Sequence, residues 1–382
     1  MTLKHMKTTH FILVAATLLA TACNCSRPDP VTPVDPEPEV KPKPVPTPAF
    51  AKGADISWVS EMEKDGRTFQ LGSGTKADIL DVLKETGINA IRLRVWVNPT
   101  GGWSGKDDVV KLATRAAKAG MALMVDFHYS DFFADPSRQD IPKAWEADKN
   151  LLDKMARHVS DHTTEVLNAL KDAGVTPNWV QVGNETRNGM LWPTGNLSQG
   201  GKEWTDKGWE NYIQLYKAGY SAVKSVFPSC IVMPHLNNAF NPSNENYWWF
   251  KRFKESGAPY DMIALSHYPQ DSWENNKQVV WDNANSRAIN YIKSLAASMG
   301  VSVIVAEVGV KTNANEDLAT QVMSEFMSEA KKIDKCAGVF YWEPEVDGKW
   351  KPAVYGTLGW NAYDMGAFTA SGKATGVMDA FK

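Results

Sequence analysis

A chain of 382 residues, 43% of them hydrophobic, can bury a large core, either as two ordinary domains or as one barrel-sized domain. Its 41 basic and 44 acidic residues are interspersed and leave a net charge of −3, with no basic stripe and no GxxxxGK[ST] loop, which excludes nucleic-acid binding and P-loop chemistry. Fifteen tryptophans are many for this length, and aromatic rings not needed by a core form platforms for ligands with apolar faces, sugars among them.

The chain opens on "MTLKHMKTTHFILVAATLLATACNCS", with Lys4 and Lys7 ahead of an apolar run from Phe11 to Ala20. That run is too short for a comfortable membrane span and reads as a secretory signal over residues 1–22. Ala20, Thr21 and Ala22 before Cys23 resemble a bacterial lipoprotein box, in which the cysteine is lipidated and becomes the new N-terminus. Ordinary cleavage with release, or a chance cysteine, are the alternatives. Residues 23–49 alternate Pro with Asp, Glu, Lys and Val, which removes donors, fixes φ and leaves a semi-rigid extended tether. The expectation is a secreted, monomeric domain over residues 50–382, lipid-anchored to a bacterial outer membrane at the cell surface. Cys230 and Cys336, beside apolar strands, read as buried free thiols.

From Phe50 onward, strand-length apolar runs alternate with helical patterns. "FAKGADISW" precedes "TKADILDVLKETG", where Ile79, Leu80 and Leu83 share a face and Thr75 with Asp78 forms an N-terminal cap. The later strands are "AIRLRVWV", "MALMVDFHY", "WVQVGNE", "CIVMPHLN", "MIALSHYP", "VSVIVAEVG" and "GVFYWEPE", each preceded by a helix. Strict βα alternation demands a parallel sheet, and eight units in about 330 residues predict an α/β fold of the closed (β/α)8 TIM-barrel type. An open doubly wound sheet would need a glycine-rich turn after its first strand, and "GADISWVSEMEKDG" has none.

In such a barrel the active site lies at the C-terminal strand ends. The polar and aromatic residues there are Asp55, Arg92 with Arg94 and Trp96, Asp126 with His128 and Asp131, Asn184 with Glu185, His235 with Asn237, His267 with Tyr268, Glu307, and Trp342 with Glu343. Glu185 ends strand four and Glu307 ends strand seven, which face each other across the mouth. Two converging carboxylates suit glycoside hydrolysis, one giving a proton to the leaving oxygen and the other attacking the anomeric carbon; a separation of about 5–5.5 Å means retention. Asn184 beside the acid would hold the sugar 2-hydroxyl. Either glutamate alone has a plainer reading as a helix cap or an arginine partner. Trp96, Trp145, Trp192 and Trp342 lie on or just after strand ends and could form angled platforms. Asp126, His128 and Asp131 lack a second histidine at metal-binding spacing, so His128 reads as substrate-binding. His158 and His162, one helical turn apart, read as a solvated face. The glycosylation triplet Asn184-Glu185-Thr186 is set aside because a bacterial-type leader precedes it.

The phrases "KGADISWV", "IRLRVWVNP", "DFHYSDFFADP", "QVGNE", "SHYP", "VIVAEVG" and "FYWEP", in this order from Lys52 to Pro344, resemble the family 53 endo-β-1,4-galactanases of clan A retaining glycosidases. The resemblance implies Glu185 as general acid/base and Glu307 as nucleophile. It also implies that Arg92, His128, Asn184, His267, Tyr268 and Trp342 line the subsites, and that the partner is galactan or its oligosaccharides. Asp55, Trp96 and Asp131 are added from their strand-end positions. Several bacterial members bind a structural calcium in a long loop after strand seven; here only "VGVKTNANED" stands there, so no calcium is expected at that place and no cofactor is required. Phe133 stands where the family more often has Trp. The competing readings are a clan A hydrolase of mannan or cellulose, and a non-catalytic glycan-binding lipoprotein.

Overall fold

The computed structural model describes residues 41–240, 245–313, 315–361 and 363–382. The signal peptide, Cys23 and the tether as far as residue 40 lie outside the described residues. Eight strands form the barrel: β1 (Ala51–Asp55), β2 (Ala90–Val95), β3 (Ala122–Phe127), β4 (Trp179–Val182), β5 (Ile231–Met233, resumed at His235–Leu236), β6 (Met262–His267), β7 (Ser302–Val308) and β8 (Cys336–Trp342). All run parallel, and β1 pairs with both β2 and β8. At β5 the ladder is shared between the two segments: Ile231–Met233 pairs with β4 and His235–Leu236 with β6. Pro234 stands between them and has no N–H to donate, which is where a ladder breaks.

Helices α1 (Ile79–Glu85), α2 (Lys106–Lys118), α3 (Leu152–Asp172), α4 (Asp206–Val226), α5 (Glu245–Glu255), α6 (Trp281–Met299) and α7 (Glu316–Ala330) cover the barrel. A terminal 3-10 turn, Gly376–Phe381, packs on α7 where an eighth helix would lie. Asp78 caps α1, its carboxylate accepting the Leu80 N–H at 2.8 Å, whereas Thr75 sits in the preceding turn against Ser73. Thr205 and Asn315 cap α4 and α7 in the same manner. Among the described residues no helix is long and apolar enough to cross a membrane.

Alternation along the strands builds two cores. Outward residues such as Ile91, Leu93, Val125 and Val180 pack under the helices. Inward residues close the lower barrel: Ala51, Ala90 and Ala122 are small, and Trp179 and Phe340 fill the space they leave, meeting edge-on at 6.0 Å. Val45 packs beneath this floor, and the Asn178 side-chain amide donates to the Val45 carbonyl and the Thr47 hydroxyl, both at 3.0 Å. The described compact unit spans Lys41–Lys382. Cys230 and Cys336 are buried and unpaired, as expected.

One more layer up, the inward positions become polar: Asp55 on β1, Arg92 on β2, Asp126 on β3 and Gln181 on β4 are all buried. The floor therefore supports a ring of charge. Its packing is testable at Gly53, where a Cβ would fall 2.0 Å from the Phe340 ring. Gly53→Ala should cost roughly 2 kcal/mol in thermal unfolding, and adding Phe340→Leu should recover part of that loss. An unchanged Tm for the single variant would contradict this interior.

Candidate active site

Arg92 organises the barrel mouth. Its Nε donates to Gln181 at 2.7 Å, its Nη1 to Asp55 at 2.8 Å, and its Nη2 to Asp126 at 2.7 Å, Asn184 at 3.0 Å and Glu307 at 2.8 Å. Residues from β1, β3, β4 and β7 are thereby drawn to one planar cation. Burial opposes its charge, yet Asp126, Glu307 and Asp55 together raise its pKa further, so it is a permanent cation. Burial would likewise push the Asp126 carboxyl up, but Arg92 and His128 hold it down at about 2.

Glu307 reaches this ring through an irregularity. On β7, Val303 and Val305 face the helices, and strict alternation would send Glu307 outward with them. The register against β6 instead jumps from Leu265↔Val305 to Ser266↔Glu307, and against β8 from Val305↔Val339 to Val308↔Tyr341. Ala306 is the extra residue of a β-bulge, so that it and Glu307 both point inward. One Glu307 oxygen takes the Arg92 bond and the other accepts from the Tyr268 hydroxyl at 2.9 Å.

Glu185 follows Gly183 and Asn184 beyond β4, in the left-handed region with φ 46°. This costs a non-glycine residue about 1 kcal/mol or more and marks a position held by its surroundings. Those surroundings are a relay. His235 Nε2 lies 2.9 Å from the Ser266 hydroxyl, and its Nδ1 lies 2.9 Å from the Asn184 side-chain oxygen and 3.4 Å from the Glu185 backbone N–H. Burial pushes the His235 pKa down to about 3, so the ring is neutral. Burial also drives the Glu185 carboxyl well above its usual range, and the neighbouring Glu307 charge drives it further. Glu307 is raised as well, burial outweighing Arg92.

Both carboxyls open into one cleft of about 410 Å³, with His128, Asn184, Tyr268, Trp342, Trp360 and Tyr363 among its lining residues. A carboxyl pushed well above its usual range beside a clamped carboxylate, in a cleft walled by indole and phenol rings, is the layout of a glycosidase. The sequence profile of glycosyl hydrolase family 53 matches residues 51–381. The chain belongs to that family. An arabinogalactan endo-β-1,4-galactanase of Humicola insolens is 30% identical over 352 residues, spanning 86% of this chain and 98% of that one. An endo-β-1,4-galactanase of Bacillus subtilis is 30% identical over 327 residues, 77% and 70% of the two chains. The solved family 53 catalytic domain of Ignisphaera aggregans superposes with a TM-score of 0.73 at 28% identity, covering 90% of this chain and 99% of that one.

Within this family 53 site, the residues singled out from the sequence divide into three groups. Glu185, Glu307, His128, Asn184, Tyr268 and Trp342 line the cleft; Asp55 and Arg92 lie beneath it as its charged base. Trp96, Asp131 and His267 lie elsewhere. His267 is in phase with Ile263 and Leu265 and so faces outward, where Nε2 meets Asn285 at 2.9 Å and the ring lies 4.5 Å from Phe326. The inward place on β6 belongs to Ser266. Trp96 is buried against Trp58 and Phe133, and Asp131 holds its loop by accepting the Asn98 and Lys143 N–H groups, both at 2.9 Å. Of the four proposed platforms, Trp342 alone lines the cleft; Trp145 is stacked at 5.1 Å on His158, and Trp192 bonds the Asn188 carbonyl. His162 is buried, edge-on to Phe127, and departs from the expected solvated face, whereas His158 stays partly exposed and bonds Asp148 at 3.0 Å.

Asp126 and His128 bond each other at 2.9 Å, and among the described residues no group of three or more His, Cys, Asp or Glu is placed to hold a metal ion. Strand-end reading missed Gln181, whose polarity within an apolar strand was a usable signal, and Trp360, which lies in a long loop far beyond β8. Phe133 lies over the Arg94 guanidinium at 4.7 Å and against Trp360 at 6.3 Å, which makes it part of the aromatic wall.

The Asp126 pKa of about 2, below the ordinary aspartate value of 3.8, gives stability that is complete above pH 4 and lost as pH falls toward 2. Asp126→Asn should remove on the order of 2 kcal/mol at pH 7 and much less at pH 2.5. Chemical denaturation at the two pH values measures it; equal losses would contradict the Arg92 pairing.

Proposed function

We infer that this family 53 protein is an endo-acting β-1,4-galactanase that works with retention through a covalent glycosyl-enzyme. The observation that carries the reading is the Glu307 carboxylate held by Arg92 and Tyr268 in the same cleft as Glu185, whose carboxyl is held well above its usual range by burial and by the Glu307 charge. Glu307 attacks the anomeric carbon while Glu185 passes its proton to the glycosidic oxygen, and the bond to the leaving sugar breaks. Once Glu307 is an ester its charge is gone, and the electrostatic cause of Glu185's raised pKa goes with it. Glu185 is then ready to take a proton from the incoming water. Asn184 gives one amide hydrogen to the Ala134 carbonyl at 2.7 Å, leaving the second for the sugar 2-hydroxyl.

Galactan is supported by the two similar galactanases and by the shape of the wall. Each galactosyl unit leaves its axial 4-hydroxyl at a bend, so the polymer curls. Trp342 stands nearly perpendicular to Tyr363, at 82°, and to Tyr268, at 88°, which suits a turning chain better than a flat one. Activity should favour β-1,4-galactan over β-1,4-mannan and cellulose in kcat/KM; a preference for mannan would leave the mechanism and remove the substrate.

Glu307→Ala should abolish turnover on every substrate. Glu185→Ala should lower kcat on galactan roughly a thousandfold, yet still give a burst of glycosyl-enzyme from an aryl galactoside whose leaving group needs no proton. Equal losses on both would contradict the acid role. In Glu307→Gln, where the neighbouring negative charge is removed, the Glu185 pKa measured by carboxyl NMR should fall. The location is a further proposal resting on the leader sequence: Cys23 carries the lipid that holds the enzyme at the outer membrane, and turnover needs no metal. Cys23→Ala should move the protein out of the detergent phase; an unchanged membrane fraction would overturn the anchor.

A further inference from the structure

A second concavity, of about 340 Å³, opens where the loop carrying Glu185 continues. Arg187 and Asn188, in the turn directly after Glu185, form its near wall; Lys202, Glu203 and Trp204 come from the loop before α4, and Trp248 from the first turns of α5. All these segments follow barrel strands or begin helices, so the concavity lies on the same face as the catalytic cleft.

Trp248 is 56% exposed although the barrel core is complete without it. The Lys251 ammonium lies 5.1 Å from its ring and leaves this open area to solvent. Its place relative to Glu185 is fixed from both sides. The neighbouring Trp249 is fully buried and donates its indole N–H to the Arg187 carbonyl at 3.0 Å. Asn246 donates to the carbonyls of Asn237 and Asn238, and Asn238 lines the catalytic cleft. On the opposite edge Asn188 donates to the Pro136 carbonyl at 2.8 Å, next to Asp135 of the cleft, and accepts from the Trp204 indole N–H at 3.4 Å. Cleft and concavity are therefore joined along both rims by hydrogen-bonded backbone.

We propose that this concavity is a distal subsite on the leaving-group side, in which Trp248 stacks on a galactosyl residue farther along the polymer being cut. The inference rests on the galactanase reading. Glu185 gives its proton to the leaving oxygen, so a path that continues past Glu185 follows the leaving chain. An axial 4-hydroxyl leaves the opposite face of a β-galactosyl ring as a patch of C–H groups, the surface an open indole accepts. Lys202 and Glu203, both exposed at the rim, supply a donor and an acceptor for its hydroxyls. The subsite adds binding energy to long substrates and none to short ones that end beside Glu185.

The test compares kcat/KM on polymeric β-1,4-galactan with kcat/KM on an aryl galactobioside whose aryl group ends beside Glu185. In Trp248→Ala the ratio of the two should fall roughly fivefold to tenfold, the loss expected for one aromatic stacking contact. Trp248→Phe should restore most of it. Trp273→Ala, which removes a ring 55% exposed outside the concavity, should leave the ratio where it is. A ratio unmoved in Trp248→Ala overturns the subsite. Should sedimentation then show a dimer that the variant dissolves, the surface is a contact between copies instead. Wild-type protein that fails to cut galactan at all would overturn the galactanase reading itself, a separate outcome measured on the unaltered enzyme.

Discussion

Everything at the mouth of this barrel depends on one buried guanidinium. Taking an arginine out of water is expensive, and the expense is offset only if several acceptors surround it in the right plane. Arg92 meets that condition with Asp55, Asp126, Glu307, Gln181 and Asn184, delivered by four strands. A lysine has three donors on a point charge and could not span the same fork. The balance is uneven: three carboxylates face a single cation, and burial first, then the charge of neighbouring carboxylates, raises Glu307 and, further, Glu185.

A second buried pair plays the same part for the cleft wall. Arg94, two residues along β2, bonds Glu343 at 2.5 Å, and its guanidinium lies 4.0 Å from the centre of the Trp58 ring. Burial pushes Glu343 up to about 7 even against Arg94. The pair stands under Phe133, which in turn meets Trp342 at 67° and Trp360 at 26°. The aromatic wall therefore rests on a charged support, and Phe133 joins Trp342 to Trp360.

The apolar floor makes both arrangements possible. Phe340 fills the space a side chain at Gly53 would need, and alanines on β1, β2 and β3 admit Trp179 beneath the charges. Asp55, Arg92 and Asp126 are buried, so their ion pairs act in a medium of low dielectric. The site opens toward the loops after β3, β4, β5, β6 and β8 that line it.

The sequence by itself determined the barrel, because eight alternating units are a local, repeated signal of period and length. It also determined that Asp55, Arg92 and Asp126 point inward, since alternation by two is a property of each strand alone. Motifs around Glu185 and Glu307 named the two carboxylates. Which way Glu307 faces was decided elsewhere: its phase with Val303 and Val305 sends it outward, and only the bulge at Ala306, set by pairing with β6 and β8 together, brings it in. His267 carries the opposite lesson, for it keeps the phase of Leu265 and is lost to the helix layer. Trp360 reaches the cleft from a loop with no period to read, and Trp96 and Trp145 are claimed by packing. Local pattern fixes what a strand offers to each face; bulges, long loops and competition for ring contacts are settled only when distant segments meet.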